Sequence, residues 1–425
     1  MGKFFQNLLR SKKSRARLGK ICTDHGTVTT PAFVPVGTKG AIKALLPSLT
    51  NEIGIQLAFV NTYHLVTHPG AAVVESAGGI HRFSQLNLPL ISDSGGFQVF
   101  SLGRRLNHSD QHQRAKVLQD DEVRPERPLI EKISHDGVKF RSVFDGELLE
   151  FTPEKSMEYQ RQIGADLNMA FDECTYYPAT RRYAQQAMER THEWLKRCIK
   201  HKLKTGTATD SVRSSFPASA RKLRAVGNPF PPATCRRQNQ YLYGVIQGAT
   251  FEDLRKQSAK FVVGQNTSGV AIGGVSVGES KKEMRDQVRW VADYLPDDRP
   301  VHLLGVGQID DIVDLVRYGI DTFDCVEPTR LARMGEILRL NHREFSLASV
   351  QFEKLDIMRG HYRNNLEPVV TGCGCYVCRH FTKAYLHHLF KQREILGYNL
   401  ATYHNLWVME KLMELIRQNI KNDQI

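Results

Sequence analysis

The sequence predicts an α/β fold, a closed (β/α)8 TIM barrel with a metal-binding subdomain inserted near the C-terminus, and three observations carry that expectation. Eight short apolar runs of strand character alternate with helically patterned, polar stretches. Polar and glycine residues follow directly on the ends of these runs. After the eighth run about eighty residues pass before a closing amphipathic segment, and they contain Cys373-Gly374-Cys375-Tyr376-Val377-Cys378.

In order, the runs are Pro31–Val36, Leu57–Asn61, Leu88–Ser92, Asp166–Phe171, Leu242–Ile246, Gly269–Ile272, Val301–Gly305 and Asp321–Asp324. At or just after their ends stand Asn61-Thr62-Tyr63, Asp93-Ser94-Gly95-Gly96, Asp172-Glu173-Cys174, Gln247-Gly248, Gly273-Gly274, Gly305-Val306-Gly307 and Asp324-Cys325. Singly, a glycine there serves a turn and an aspartate caps a helix. Together they mark one barrel mouth, because chemistry in this fold gathers on the loops that follow the C-terminal strand ends. Two stretches break the βα rhythm and read as surface insertions, near 104–127 and 204–238; the second contains Asn228-Pro229-Phe230-Pro231-Pro232, which no helix interior tolerates. The expected organisation is a barrel over 1–332, a metal-binding subdomain over 333–404 and a closing barrel helix over 405–425. In that helix Met409, Leu412, Met413, Ile416 and Ile420 recur at helical spacing.

Composition narrows the class. With 425 residues and 41% hydrophobic content the chain can bury a large core, and it has no apolar run of the length a membrane helix needs. Met1 to Lys20 is basic and without acids, yet it lacks a signal-peptide core, so a cytoplasmic protein is expected. The formal charge is +13, and the stretch from Lys196 to Arg237 holds eleven Lys or Arg against Asp210 alone. Such a stretch is either a solvated loop or a nucleic-acid contact. Of eight cysteines, three crowd into the 373–378 segment, which suits a metal site in a reducing compartment better than a disulfide framework.

Thiolates select zinc or an iron-sulfur cluster, and a cluster ordinarily needs four sulfurs. Cys373, Cys375 and Cys378 with one histidine therefore predict a closed, structural Zn2+ site. Spacing leaves His380, His387, His388 and His404 all open as the fourth ligand.

The motifs Ser92-Asp93-Ser94-Gly95-Gly96-Phe97-Gln98, Phe171-Asp172-Glu173-Cys174, Val245-Ile246-Gln247-Gly248, Gly273-Gly274-Val275-Ser276-Val277-Gly278-Glu279 and Phe323-Asp324-Cys325-Val326-Glu327-Pro328-Thr329-Arg330 are similar in order, spacing and strand placement to those of the bacterial-type queuine/preQ1 tRNA-ribosyltransferases. The likeness runs from about Ala16 to Leu415, with the two insertions outside it.

The resemblance implies an enzyme that exchanges guanine at anticodon position 34 of tRNAs with a GUN anticodon for a 7-deazaguanine base. It implies Asp324 as nucleophile and Asp93 as proton acceptor and donor. Phe97, Asp172, Gln247, Gly273 and Gly274 would join Asp93 in holding the base, and Arg330 and Arg333 would contact tRNA phosphates. It names His404 as the fourth zinc ligand and implies a homodimer. Val277 resembles the preQ1-type pocket rather than the glycine of queuine-type enzymes, and Leu304 stands where many relatives carry Met. The competing reading is a non-catalytic, tRNA-binding accessory subunit of the same superfamily, which should lack a nucleophile or an acid; this chain has Asp324 and Asp93.

Overall fold

The computed structural model describes residues 3–97, 130–142, 144–207, 239–341 and 351–425. Strands β1 (Phe5–Arg10), β2 (Arg17–Thr23) and β3 (Gly26–Thr30) form an antiparallel sheet ahead of the barrel. The barrel strands that follow are β4 (Ala32–Pro35), β5 (Ala58–Val60) and β6 (Leu90–Ser92). A second antiparallel sheet, β7 (Ile130–Ile133), β8 (Val138–Arg141) and β9 (Leu148–Phe151), interrupts them. The barrel resumes with β10 (Leu167–Met169), β11 (Tyr241–Ile246), β12 (Gly269–Ile272), β13 (Val301–Leu303) and β14 (Thr322–Cys325).

All eight barrel strands predicted from the sequence are present, paired in parallel in the order β4-β14-β13-β12-β11-β10-β6-β5. The ring closes where Val36 bridges Phe59 in parallel and the Gly37 N–H donates to the Phe59 carbonyl at 2.7 Å. Strand alternation separates two buried layers. Val34, Phe59, Met169, Tyr243, Val245 and Ala271 fill the interior, while Phe33, Val60, Leu90, Ile272, Leu303 and Phe323 belong to the larger outer core. Phe5, Ile21 and Val28 of the first sheet join the interior cluster. Neither antiparallel sheet was expected from the sequence.

The insertion near 104–127 lies outside the described residues. The one near 204–238 begins later than expected, because the helix Arg181–Thr207 continues through 204–207; residues 208–238 lie outside the described residues.

Beyond the barrel, β15 (Glu336–Asn341) and β16 (Gln351–Asp356) pair antiparallel, and helices Tyr376–His380, Lys383–Lys391 and Ile395–Lys421 follow. The last helix starts at Ile395, not at 405. Its first turns carry Gly397, a poor helix former, where an added Cβ would stand 3.1 Å from the Leu389 Cβ. The glycine is there for close packing against the preceding helix, a tertiary demand that local pattern does not show. The helix is tied to the barrel by Arg417, whose Nη1 donates to the Pro31 carbonyl at 2.8 Å. Among the described residues, no helix is long and apolar enough to cross a membrane.

Candidate active site and metal centre

Asp93 leaves the C-terminal end of β6 and is held from two sides. The Asn61 amide donates to its Oδ2 at 2.5 Å, and the Thr62 and Gly95 N–H groups donate to Oδ1 at 2.6 and 3.2 Å. Asn61 and Thr62 follow β5, the neighbouring strand, so the parallel β5–β6 pairing itself brings these donors to Asp93. These hydrogen bonds fix the orientation of the carboxylate.

Asp172, after β10, takes the Ser94 hydroxyl on Oδ1 at 3.0 Å and the Gln247 amide on Oδ2 at 2.7 Å. Burial pushes Asp172 up to about 6; the hydrogen bonds from Gln247 and Ser94 oppose that, and the nearby charges of Asp93 and Glu173 add to it. Gln247 is wholly buried, and its Oε1 has no hydrogen-bond partner among the described residues. Gly274 passes this amide with φ +62, and a Cβ there would come within 2.2 Å of Oε1. Only glycine fits, on both conformational and steric grounds. At Gly273 a Cβ would stand 2.7 Å from Val245 Cγ1.

Sequence reasoning missed Arg255, which organises these loops. It is fully buried on the helix Glu252–Val263. Its guanidinium donates to the carbonyls of Ala249 (2.7 Å), Gly273 (2.6 Å) and Gly274 (2.7 Å), and to the Gln287 side chain. With the carbonyls drawn away by the fork of donors, the loop after β12 is set in one conformation. The only signal in the sequence is a basic residue on the apolar face of an otherwise ordinary helix. Replacing Arg255 with Met should lower stability by about 3–5 kcal/mol, read as a fall in the urea unfolding midpoint, because it strands several buried carbonyls at once. A midpoint within error of the wild type would remove the organising role.

Asp324 is the penultimate residue of β14, with Oδ1 accepting the Gly305 N–H at 2.8 Å and lying 3.1 Å from His302 Nε2. Its side chain is 10% exposed, at the same strand ends as the other carboxylates. His302, also missed, is a lone polar residue inside the buried strand β13. Phe97, directly after Gly95-Gly96, is helical and 50% exposed. Arg330 is exposed and Arg333 half-buried on the helix Glu327–Arg333; Arg333 Nη1 donates to the Thr329 carbonyl at 2.8 Å. The structure thus links Asp93, Ser94, Asp172, Gln247, Gly273 and Gly274 through short contacts, places Asp324 on the same barrel end, and leaves the two arginines outside the linked set.

The cysteine cluster closes on His404. Its Nδ1 lies 3.3 Å from the sulfurs of Cys375 and Cys378 and 3.9 Å from that of Cys373. All four ligand atoms fall within 4.8 Å of one another. A tetrahedral ion with S and N ligands separates its donors by about 3.5 Å, so three thiols and one imidazole fit a four-coordinate metal. The outer nitrogen, Nε2, meets the Leu338 carbonyl at 2.8 Å, which fixes the tautomer that presents Nδ1. Of the other candidate ligands, His380 Nδ1 meets the Tyr376 carbonyl and His387 Nδ1 the Ile357 carbonyl, each at 2.8 Å.

Comparison with known proteins agrees with this site. The family model described as queuine tRNA-ribosyltransferase matches residues 12–425. The queuine tRNA-ribosyltransferase of Pelotomaculum thermopropionicum is 40% identical over 416 residues, covering 98% of this chain and 94% of the relative. That of Desulforamulus reducens is 39% identical over 417 residues, with 98% and 94% covered. The Halalkalibacterium halodurans protein of the same name is 39% identical over 415 residues, with 97% and 91% covered.

Proposed function

This chain belongs to the queuine tRNA-ribosyltransferase family, and from that footing we propose that its barrel mouth is a tRNA-guanine transglycosylase site that exchanges guanine at anticodon position 34 of GUN tRNAs for a 7-deazaguanine base. The observation that carries the reading is the set of three carboxylates at one barrel end with separate surroundings: Asp93 under three donors, Asp172 buried against Gln247, and Asp324 held on one oxygen.

Asp324 is the nucleophile. Its carboxylate forms a bond to the ribose C1′ as the C1′–N9 pair departs with guanine, giving a glycosyl ester. Asp93 delivers the proton that the departing base needs and takes the proton from the incoming base, whose nitrogen then displaces the Asp324 carboxylate. Two displacements at one carbon retain its configuration. Asp172 accepts from the N1–H and 2-amino donors of the base; Gln247 and the Gly274 N–H answer its carbonyl; Gly273 lets the base approach, and Phe97 stacks on it. Arg330 and Arg333 contact the phosphates on either side of the flipped-out nucleotide. Val277, half-buried beside the Gly273-Gly274 loop, favours preQ1 over queuine. The metal is Zn2+, held by Cys373, Cys375, Cys378 and His404 with no open position, and its contribution is structural. The protein acts in the cytoplasm as a homodimer.

Incubating the purified chain with an unmodified G34-U35-N tRNA and labelled guanine, preQ1 or queuine tests the reading. Incorporation at position 34 is expected, with preQ1 the best substrate; failure to incorporate any of the three would overturn it.

Recognition by Asp172 also predicts a pH dependence. The group sits at about 6, above its ordinary value, so the accepting carboxylate is lost as pH falls through that point. KM for the base should rise about tenfold per pH unit below 6, and Asp172→Asn should remove that slope. A KM that is flat from pH 7 to 5 in the wild type would exclude the role.

A further inference from the structure

We propose that His302 is a positioning residue that divides the labour between the two oxygens of Asp324: Oδ1 is held and Oδ2 attacks. This rests on the reading of Asp324 as the nucleophile.

Asp324 Oδ1 faces two donors, the Gly305 N–H at 2.8 Å and His302 Nε2 at 3.1 Å. An ionised carboxylate can only accept, so Nε2 carries the proton. The other ring nitrogen, Nδ1, is partnered by the Thr322 hydroxyl at 2.8 Å. Thr322 lies opposite His302 in the β13–β14 register, and the ring packs over Phe59 at 6.0 Å between centroids. The imidazole is wholly buried. It cannot turn without breaking both contacts. Oδ2 has no hydrogen bond among the described residues, while the Asp324 side chain keeps some exposure at the mouth.

In the first displacement the Oδ2 lone pair forms the bond to C1′, and the C1′–N9 pair leaves with guanine, which gains a proton. Oδ1 becomes the carbonyl oxygen of the ester, still under its two donors. In the second, the incoming base nitrogen bonds C1′ after losing its proton, and the C1′–Oδ2 pair returns to Asp324. His302 keeps its Nε2 proton throughout. A hydrogen bond to a carboxylate is worth more than one to a neutral ester carbonyl. His302 therefore favours the free carboxylate over the ester and speeds the second displacement. Removing its donor should shift the partition about tenfold toward the covalent adduct and slow turnover similarly.

The test compares two variants of the full chain. His302→Gln places an amide N–H where Nε2 stands, whereas His302→Asn places its amide near Nδ1, beside Thr322, and leaves Asp324 without the donor. With labelled G34 tRNA, the fraction carried as a covalent adduct in steady state is read on a denaturing gel, together with kcat and KM for tRNA. His302→Asn should show about a tenfold rise in the adduct-to-free ratio and a matching fall in kcat, with KM for tRNA falling alongside it because adduct accumulates; His302→Gln should keep the wild-type ratio. Equal ratios in the two variants, or a lower ratio in His302→Asn, would overturn the inference, and a folding defect common to both would fall in that outcome. Asp324→Ala runs alongside. If it still forms adduct, the nucleophile assignment itself fails; if it forms none while Asn and Gln behave alike, only the role of His302 is lost.

Discussion

Asp324→Ala should abolish base exchange, lowering kcat by about 10⁴-fold or more and eliminating the covalent adduct, while the chain folds normally and still binds tRNA. The expectation follows from the chemistry of the site. A nucleobase leaves through an oxocarbenium-like sugar, and trapping that sugar as an ester needs a carboxylate at C1′, the role proposed for Asp324. Asp93 cannot substitute, because Asn61, Thr62 and Gly95 hold both of its oxygens on the other side of the mouth. The substitution is sterically mild: Asp324 is near the end of a strand whose neighbours are fixed by the β13 and β4 pairings, and among the described residues its loss vacates the hydrogen bonds from His302 and Gly305. Single-turnover assays with labelled tRNA and a denaturing gel give both readouts. Exchange at a tenth of the wild-type rate, or a persisting adduct, would exclude Asp324 as the nucleophile.

Removing the metal should cost the C-terminal subdomain its structure. The four ligands tie a short cysteine turn to the middle of the long helix Ile395–Lys421, and His404 reaches through its other nitrogen to the Leu338 carbonyl on β15. Asn405, the next residue, accepts the Leu338 N–H at 2.9 Å and donates to the Pro328 carbonyl at 3.1 Å, on the helix that directly follows Asp324. The cysteine–histidine cluster is thus joined, through His404 and Asn405, to the helix that follows β14 and Asp324. Structural zinc sites contribute on the order of 10 kcal/mol of apparent binding free energy, and that energy is folding energy where the site has no other support. Cys378→Ser or prolonged chelation should release one metal per chain, lower the unfolding midpoint sharply and abolish exchange. A metal-free chain that unfolds at the wild-type midpoint would show that the cluster does not hold the subdomain.

Local pattern accounts for much of the fold. The barrel strands are buried on both faces, so they read as uninterrupted apolar runs such as Gly269–Ile272, and the turn chemistry of Asp, Asn and Gly marks their ends. The sheets β1–β3 and β7–β9 were not legible in the same way. Their burial patterns are mixed, with exposed Leu8 and Leu9 on β1 and Leu148 on β9, and which face is covered depends on where the barrel lies. The closing helix was legible only from the point where its apolar repeat is regular; its first turns, around Gly397, are shaped by the helix beneath them.

The sequence by itself determined the strand count, the residue types at the barrel mouth and the three sulfur ligands, because these depend on neighbours within a few residues along the chain. It also carried, through the likeness of its motifs, the expectation of His404. Only the tertiary structure decided what those residues touch. His404 rather than His380 or His387 meets the sulfurs because the long helix crosses the cysteine turn at that residue. Arg255 acquires the carbonyls of Gly273 and Gly274, and His302 acquires Asp324, because parallel pairing of neighbouring βα units brings together groups 18 to 22 residues apart in sequence. Hydrogen bonds and metal bonds are decided over distances of two to three ångströms, which only packed elements define.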